Sequence, residues 1–432
     1  MTEERPDIRI TLQGDPQGKE LIVADQLFQT APSEWLTSAS LPQRPLPRWQ
    51  VPPPLESRLV DRGLPIIYGR EVSGGGYHSI GIDGKLRLGL DVFGSAFFML
   101  TRYEELVNPV RDLRDRFPAH ASLAFLEGFL TRPIVNEYLE VLWWGLSILW
   151  PRLVRRGRSF TIRPTHDVDR PLSVSGIGPL RLAKITAGDL VRRRSARLAA
   201  HRIRAAVEAA FGHYDGDPNN TFDLIMDFSE RKGLKSAFYF IAGHTAGRVD
   251  GEYTLQNPWI RQLLRKISDR EHEIGLHPSY HTFRDVEQLK REFENLLRAT
   301  GEGGIRQNVW GGRQHYLRWQ VPITWEAWES AGLHYDSSLS FADHAGFRCG
   351  VCYEYPVFSL GASRELDLTE RPLIVMEQSV LEYMKLAGAE AYAMISLLKE
   401  RCRMFGGDFT ILWHNNSLLT EGALELYEAV LG

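Results

Sequence analysis

The sequence predicts an α/β protein in which a small N-terminal α/β domain precedes a larger domain of alternating strands and helices. The chain has 432 residues, more than one hydrophobic core usually serves, and this length favours two domains. A basic stretch at residues 152–163 marks a shift in composition, so we place the domain boundary between residues 155 and 156. Beyond it, the alternation of strand and helix patterns predicts parallel strands joined by helices, in an open sheet or a barrel.

The predicted N-terminal domain begins with an alternating strand pattern at residues 7–12. The proline-rich segment at residues 41–54 is interpreted as a surface connection without regular structure, because proline fixes φ and lacks an N–H donor. The most apolar helix pattern, residues 138–150, is shorter than the roughly 20 residues that cross a bilayer and contains Glu140. We therefore expect a buried helix and no transmembrane segment, while peripheral contact with a membrane stays open.

The predicted larger domain, residues 156–432, carries strand and helix patterns in turn. Strands are expected near residues 160–163, 236–241, 373–377 and 410–413, and helices near 222–232, 259–269 and 286–299. A basic helical insertion lies at about residues 176–214. Its arginines could face phosphates or an acidic membrane surface, or they could form a solvated helix face over an apolar stripe.

Composition and charge exclude several classes of protein. The hydrophobic share of 43% and the charged share of 24% are those of an ordinary globular protein. A formal net charge of -3 gives no reason to expect nucleic acid as a partner. Three cysteines are too few for a disulfide framework, and the polar start lacks the pattern of a secretory signal, so we expect a cytoplasmic location.

Two pairs of titratable residues follow predicted strands. Asp167 and Asp169 could hold a metal or share a proton, although paired acids at strand ends also serve as helix caps or surface residues. His277 and His281 are four residues apart, and on a helix this spacing would place both imidazoles on one face, where they could bind a metal.

Arg313 and His414 follow two further predicted strands. His166 directly precedes Asp167, and His315 lies two residues after Arg313. A lone histidine is more often structural than catalytic. Several strand ends that each deliver a charged or titratable group instead favour a metal-assisted acid–base site.

These motifs, in this order, resemble the polysaccharide deacetylase family (the NodB-homology proteins, carbohydrate esterase family four). The resemblance covers roughly residues 160–432, and the first domain is similar to an uncharacterised domain that precedes this catalytic module in some bacterial relatives. The segments that carry the resemblance are Asp167-Val168-Asp169, His277 with His281, Arg313, Tyr335-Asp336-Ser337-Ser338 and Leu412-Trp413-His414.

The resemblance implies a distorted (β/α) barrel of about seven strands and the hydrolysis of N-acetyl or O-acetyl groups on sugars. It also implies one divalent metal ion, zinc in the first place, with cobalt, nickel or iron as alternatives. Matched by position, the resemblance implies that the metal ligands are Asp169, His277 and His281. It implies that Asp167 is the general base and that Arg313 positions this base. It also implies that His414 is the general acid and that Asp336 orients His414. Because Val168 separates the two aspartates, which of them is base and which is ligand stays open.

The expected function is that of a metal-dependent hydrolase that removes an acetyl group from a sugar in bacterial surface polysaccharide biosynthesis. The expected substrate is an acetylated sugar, either free or linked to a nucleotide or lipid carrier. Two alternatives remain: hydrolysis of another small amide, as in deformylases or cyclic amidases, and a catalytically inactive glycan-binding relative.

Overall fold

The computed structural model describes residues 7–13, 15, 17–72, 76–174, 178–192 and 194–432. Residues 176, 177 and 193 of the predicted basic insertion lie outside these ranges. The strands of the first part are β1 (Ile8–Thr11), β2 (Glu20–Val23), β3 (Arg48–Gln50), β4 (Gly63–Pro65), β5 (His78–Ile80) and β6 (Lys85–Leu88). Its helices are α1 (Pro53–Glu56), α2 (Val92–Leu100), α3 (Tyr103–Val107), α4 (Leu123–Leu126) and α5 (Ile134–Leu149).

The first part is built on a small mixed sheet in the order β1-β2-β6-β5. β2 and β6 run parallel, and the two outer pairs are antiparallel. α5 packs on β2 and β6, and its buried side chains include Tyr138, Val141 and Trp144. Within the described residues, none of the helices combines the length and the apolar character that crossing a bilayer requires.

The interpretation of residues 41–54 as a connection without regular structure is wrong. β3 lies between the prolines and pairs with β4, so that Trp49 opposes Leu64 and both are buried. α1 begins at Pro53, where the first turn of a helix needs no N–H donor. The prolines therefore flank short elements instead of excluding them.

The second part contains a single nine-stranded sheet. Its strands are β7 (Thr161–Val168), β8 (Ala237–Phe240), β9 (Glu273–Leu276), β10 (Gly311–Gly312), β11 (Tyr335–Asp336), β12 (Tyr355–Ser359), β13 (Arg364–Glu370), β14 (Val375–Met376) and β15 (Asp408–Leu412). The spatial order is β12-β13-β11-β10-β9-β8-β7-β15-β14. Every neighbouring pair is parallel except β12 and β13. The predicted alternation of parallel strands and helices is confirmed.

The expected barrel does not close in the described residues. The antiparallel strand β12 occupies one edge of the sheet, and β14, which is only two residues long, occupies the other. No ladder among the described strands joins these two edges. The architecture is a mixed α/β fold with an open, mostly parallel sheet.

The second part also contains eight α-helices among its described residues. They are α6 (Pro179–Val191), α7 (Ala196–Ala210), α8 (Phe222–Arg231), α9 (Pro258–Asp269), α10 (Val286–Glu302), α11 (Ile323–Ser330), α12 (Gly388–Met404) and α13 (Glu421–Leu431). In α9 the buried residues Ile260, Leu263, Leu264 and Ile267 recur at helical spacing and form one apolar stripe. α6 and α7 form the helical hairpin of the predicted insertion, held by a buried ion pair between Arg202 and Asp189 at 2.6 Å.

The two parts of the chain share one continuous hydrophobic core. Their contact also contains charge: the buried Glu105 carboxylate accepts hydrogen bonds from Arg102 at 2.9 Å and from Arg348 at 2.6 Å. The loop at residues 150–160, where the sequence places the boundary, lies between α5 and β7. The N-terminal part also packs against the segment before β12, where Val135 donates to the carbonyl oxygen of Gly350 and Asn136 accepts from the backbone N–H of Cys352.

Candidate active site

The charged and titratable residues gather at the carboxyl ends of the parallel strands. Asp169 directly follows β7, His277 follows β9, Arg313 follows β10 and Glu377 follows β14, while His414 lies two residues beyond β15. The carboxyl ends of parallel strands lie along the same edge of a sheet, where α/β proteins place their functional groups. Five separate segments thus deliver polar side chains to one place.

The close approach of neighbouring strands depends on Gly312. A Cβ at this position would lie 1.8 Å from the carbonyl oxygen of Leu276 in β9, so any side chain would push the two strands apart. The next residue, Arg313, donates its backbone N–H to that same oxygen at 3.0 Å. This glycine therefore allows β10 to place Arg313 beside the end of β9.

Three donor groups form a cluster suited to a metal ion. The ligand atoms of Asp169, His277 and His315 all lie within 4.8 Å of one another. Asp169 Oδ1 is 3.2 Å from His277 Nε2 and 3.5 Å from His315 Nε2. The two imidazoles are buried, whereas the Asp169 side chain keeps 27% of its surface exposed.

The two histidines are oriented through their other ring nitrogens. His277 Nδ1 donates to the carbonyl oxygen of Arg313 at 2.7 Å, and His315 Nδ1 donates to Asp250 Oδ1 at 3.1 Å. Each Nε2 is then left as the acceptor nitrogen that faces Asp169. This arrangement of a carbonyl or carboxylate behind each imidazole is typical of metal-binding histidines.

The unsatisfied atoms of the cluster fit a cation. Asp169 Oδ1 and His277 Nε2 are buried and have no hydrogen-bond partner among the described residues, since their 3.2 Å contact lacks hydrogen-bond geometry. Burial opposes the ionisation of Asp169, but the neighbouring His315 and His277 outweigh it and hold the pKa of Asp169 below its ordinary value. A buried carboxylate and two imidazoles make an N,N,O donor set that suits zinc and similar divalent ions.

His281 does not belong to this cluster. The segment from His277 to His281 is not helical, because the chain leaves β9 through Pro278 and forms a short 3-10 helix only at Thr282–Arg284. The spacing of four residues therefore does not bring the two rings together. His281 is exposed, and its Nδ1 lies 3.5 Å from Arg318 Nη1. The imidazole that lies within reach of Asp169 and His277 is that of His315.

Asp167 and Arg313 form a buried ion pair beside the cluster. Arg313 Nη1 donates to Asp167 Oδ1 at 2.9 Å, and its Nε and Nη2 donate to the carbonyl and hydroxyl oxygens of Ser337. The other carboxylate oxygen of Asp167 lies 3.8 Å from His277 Nε2. Three hydrogen bonds thus hold the guanidinium of Arg313 in one orientation, and one of them holds the Asp167 carboxylate in place.

His414 approaches the cluster from the end of β15, which lies on the other side of β7 from β8 and β9. Its Nε2 is 3.7 Å from Asp169 Oδ2, and its Nδ1 donates to Glu377 Oε1 at 2.7 Å. Burial opposes protonation of this imidazole, but the charge and hydrogen bond of Glu377 outweigh it and raise the pKa of His414 to about 10. His414 is therefore an imidazolium at neutral pH.

Asp336 does not contact His414, although the sequence assigned it the role of orienting that residue. It is fully buried, and its Oδ1 accepts from the backbone N–H and the hydroxyl of Ser338. Burial raises the pKa of Asp336 to about 7. Because β14, and not β11, lies next to β15 in the sheet, the carboxylate that reaches His414 is Glu377.

His166 is a core residue. Its Nδ1 donates to the carbonyl oxygen of Trp413 at 2.7 Å, and its Nε2 contacts the hydroxyl of Ser236 at 3.2 Å. Burial lowers its pKa to about 3, which keeps the ring neutral.

Sequence reasoning missed Glu377 and Asp250, and it mentioned His315 without a role. Glu377 contacts the imidazole of His414 and Asp250 contacts that of His315, and each partner is distant along the chain. No local sequence spacing therefore predicts either contact. The one available signal for Glu377 is its position directly after an apolar strand pattern, which is the same signal that singled out the other site residues.

A cleft of about 230 Å³ lies over these groups. Besides the titratable residues, its walls contain Arg116, Tyr316, Met376, Gln378, Tyr383 and Asn416. Arg116 comes from the N-terminal part and donates to the carbonyl oxygen of Tyr316 at 3.1 Å. The N-terminal part therefore contributes Arg116 to the wall of the cleft.

Comparison with known proteins gives partial matches. Residues 2–151 match a family of unknown function (DUF7033). None of the curated proteins matches this sequence.

Three solved structures are similar over part of the chain. A putative polysaccharide deacetylase from Mycobacterium smegmatis is 16% identical with a TM-score of 0.38, over 64% of this chain and 84% of that one. Puue allantoinase is 11% identical with a TM-score of 0.36, over 62% and 82%. A probable polysaccharide deacetylase from Pseudomonas aeruginosa PAO1 is 12% identical with a TM-score of 0.33, over 63% and 83%. These identities and scores are low, so the functional proposal depends on the side chains of the site itself.

Proposed function

We propose that this chain is a metal-dependent hydrolase that removes an acetyl group from a sugar. The observation that carries the proposal is the placement of three groups around one cleft: the Asp169, His277 and His315 cluster, the Asp167–Arg313 pair and the His414–Glu377 pair. These are a cation site, an oriented carboxylate and a charged imidazole, which are the parts that metal-assisted hydrolysis of an acyl group requires.

Asp169, His277 and His315 are the residues that would hold the divalent ion. When bound, such an ion supplies Lewis-acid polarisation of the acyl carbonyl and lowers the pKa of water, and the N,N,O donor set suits zinc, with cobalt, nickel or iron as alternatives. The Nδ1 atoms of His277 and His315 are engaged by the carbonyl oxygen of Arg313 and by Asp250, so it is Nε2 of each ring that faces Asp169.

Asp167 is the general base. Arg313 binds one of its oxygens, and the other faces His277, so the carboxylate is held where a water beside the cluster would give up its proton. Arg313 is a positioning residue, since it acts through Asp167. This assignment gives the two aspartates separate roles, with Asp169 in the cluster and Asp167 next to it.

His414 is the general acid. Its Nε2 lies 3.7 Å from Asp169 Oδ2 at the border of the cluster, and it donates a proton from Nε2 to the leaving nitrogen or oxygen when the acyl bond breaks. Glu377 keeps His414 protonated and orients its ring through Nδ1. The polar lining of the cleft, which includes Arg116, Gln378 and Asn416, suits the hydroxyl groups of a sugar ring.

The test is release of acetate by the purified, zinc-loaded protein from a panel of N-acetylated and O-acetylated sugars. We expect turnover by the wild type and by His281→Ala, and loss of turnover in His315→Ala and His414→Ala. His281→Ala is the matched control because its ring lies outside the cluster. Release of formate but not acetate from acylated sugars would favour deformylation. No release of any acyl group by the metal-loaded protein would refute the hydrolase and favour a glycan-binding role.

A further inference from the structure

A second and larger groove continues from the cleft. Its volume is about 970 Å³, and Arg170, Gly251 and Asn416 line both cavities. Helix α6 of the basic insertion forms its far wall. A ligand that fills the groove can therefore extend into the cleft as one molecule.

The groove is rich in positive charge. Six of the residues that line it are cationic: Arg170, Arg181, Lys184, Arg192, Arg202 and Arg248. Glu252 is the one acidic residue among those that line it. Both Arg181 and Arg248 pair with Glu252, and Arg202 pairs with Asp189.

The other three cations have no such partner. Arg170, Lys184 and Arg192 are exposed and form no ion pair with any residue that the structure describes. Arg170 lies at the junction with the cleft, whereas Lys184 and Arg192 lie on α6 and at its end. The groove thus presents uncompensated positive charge from its junction with the cleft to the insertion.

Two buried polar atoms in the groove wall also lack partners. Ser173 Oγ and Asn219 Oδ1 form no hydrogen bond with described residues, although Ser173 is only 8% exposed and Asn219 only 4%. Buried polar groups are rarely left unsatisfied. Ser173 Oγ can donate to a phosphate oxygen in the same groove as the unpaired cations, whereas Asn219 Oδ1 can accept only from a hydroxyl or N–H of the ligand.

We infer that the groove binds the phosphate-bearing part of the substrate, and that the substrate is an acylated sugar joined through phosphate or diphosphate to a carrier. The inference rests on the proposed function for the sugar in the cleft. Leu180, Ile185 and Trp259 give the groove an apolar side as well. This side can cover either a nucleobase or the first carbons of a lipid, so the shared chemistry is the phosphate linkage.

Binding of inorganic pyrophosphate to the zinc-loaded protein of 432 residues, measured by calorimetry, tests the groove. Charge-assisted hydrogen bonds are the strongest contacts available to phosphate oxygens, so Lys184→Ala with Arg192→Ala should weaken binding at least about tenfold. The control is Arg197→Ala with Arg204→Ala, which removes the same charge from α7 outside the groove and should leave Kd nearly unchanged. Equal effects of the two double variants, or no binding of pyrophosphate by the wild type, would overturn the inference.

Two further probes identify the carrier. Binding of uridine diphosphate more tightly than pyrophosphate supports a nucleotide-linked substrate. Sedimentation with phosphatidylcholine vesicles that contain polyprenyl phosphate, but not with phosphatidylcholine alone, supports a lipid-linked one. In either case the Lys184→Ala, Arg192→Ala variant should lose the binding.

Turnover separates this inference from the proposed function. If unphosphorylated and phosphate-linked acetyl sugars give equal kcat/KM, the groove assignment is wrong and the hydrolase stands. If pyrophosphate binding depends on Lys184 and Arg192 but no acyl group is released from any sugar, the groove assignment stands and the hydrolase is wrong.

Discussion

Replacing Glu377 by glutamine tests how His414 is kept protonated. Burial disfavours the charged imidazole, and the Glu377 carboxylate reverses that effect and raises the pKa of His414 to about 10. Without that charge, the pKa should return to near the ordinary value of about 6.5 or below it. At pH 8 the protonated fraction would then fall from nearly all molecules to about one in thirty or less.

The assay is the pH profile of kcat/KM for acetate release. A general acid works only when protonated, so we expect Glu377→Gln to lose at least about thirtyfold at pH 8 and much less at pH 6. The alkaline limb of the profile should move to lower pH. Ser417→Ala is the control, since it removes a 2.8 Å hydrogen bond to the same carboxylate without removing the charge. An unchanged alkaline limb in Glu377→Gln would refute the role of this pair.

Three further predictions concern other buried charges. Asp167→Asn should reduce kcat by about 10²–10⁴, the usual contribution of a general base, while elemental analysis still finds the metal; loss of the metal would show that the roles of the aspartates are reversed. Arg348→Met should destabilise the protein by about 3–5 kcal/mol in urea unfolding, because Glu105 loses one of two buried partners, and a change below about 1 kcal/mol would contradict this. Asp336 has a pKa of about 7 in the folded protein, above its ordinary value, so the folded state binds more protons and stability should fall as pH rises from about 4 to about 7. Urea unfolding at pH 5 and pH 8 should show a smaller fall for Asp336→Asn than for the wild type, and an equal fall would contradict the assignment.

The alternation of elements was predictable because periodicity is a local property. The helix pattern at residues 222–232 corresponds to α8, and the one at 286–299 corresponds to α10. The sheet edges were not predictable in the same way. Whether β12 and β14 meet depends on how a whole sheet twists and pairs, which no single segment encodes.

The site was predictable where a residue lies at or near the end of a strand. Asp169, His277 and Arg313 directly follow strands, Asp167 is the second-last residue of β7, and His414 lies two residues beyond β15. Four of them line the cleft, and Arg313 reaches it through its ion pair with Asp167.

Residues that depend on the path of a loop were not predictable. His281 was expected beside His277 because a helix would stack the two rings, but Pro278 begins a non-helical turn and the ring lies in solvent. His315 reaches the cluster because the chain after β10 turns back, with Tyr316 in the left-handed region at φ 60°. Glu377 meets His414 only because β14 pairs with β15.

The most direct test of the metal centre is the metal content of four purified proteins: the wild type, His277→Ala, His315→Ala and His281→Ala. We expect about one equivalent of zinc or a similar divalent ion in the wild type and in His281→Ala, and a large loss in His277→Ala and His315→Ala. Full metal content in His315→Ala, together with loss in His281→Ala, would contradict the ligand set of Asp169, His277 and His315.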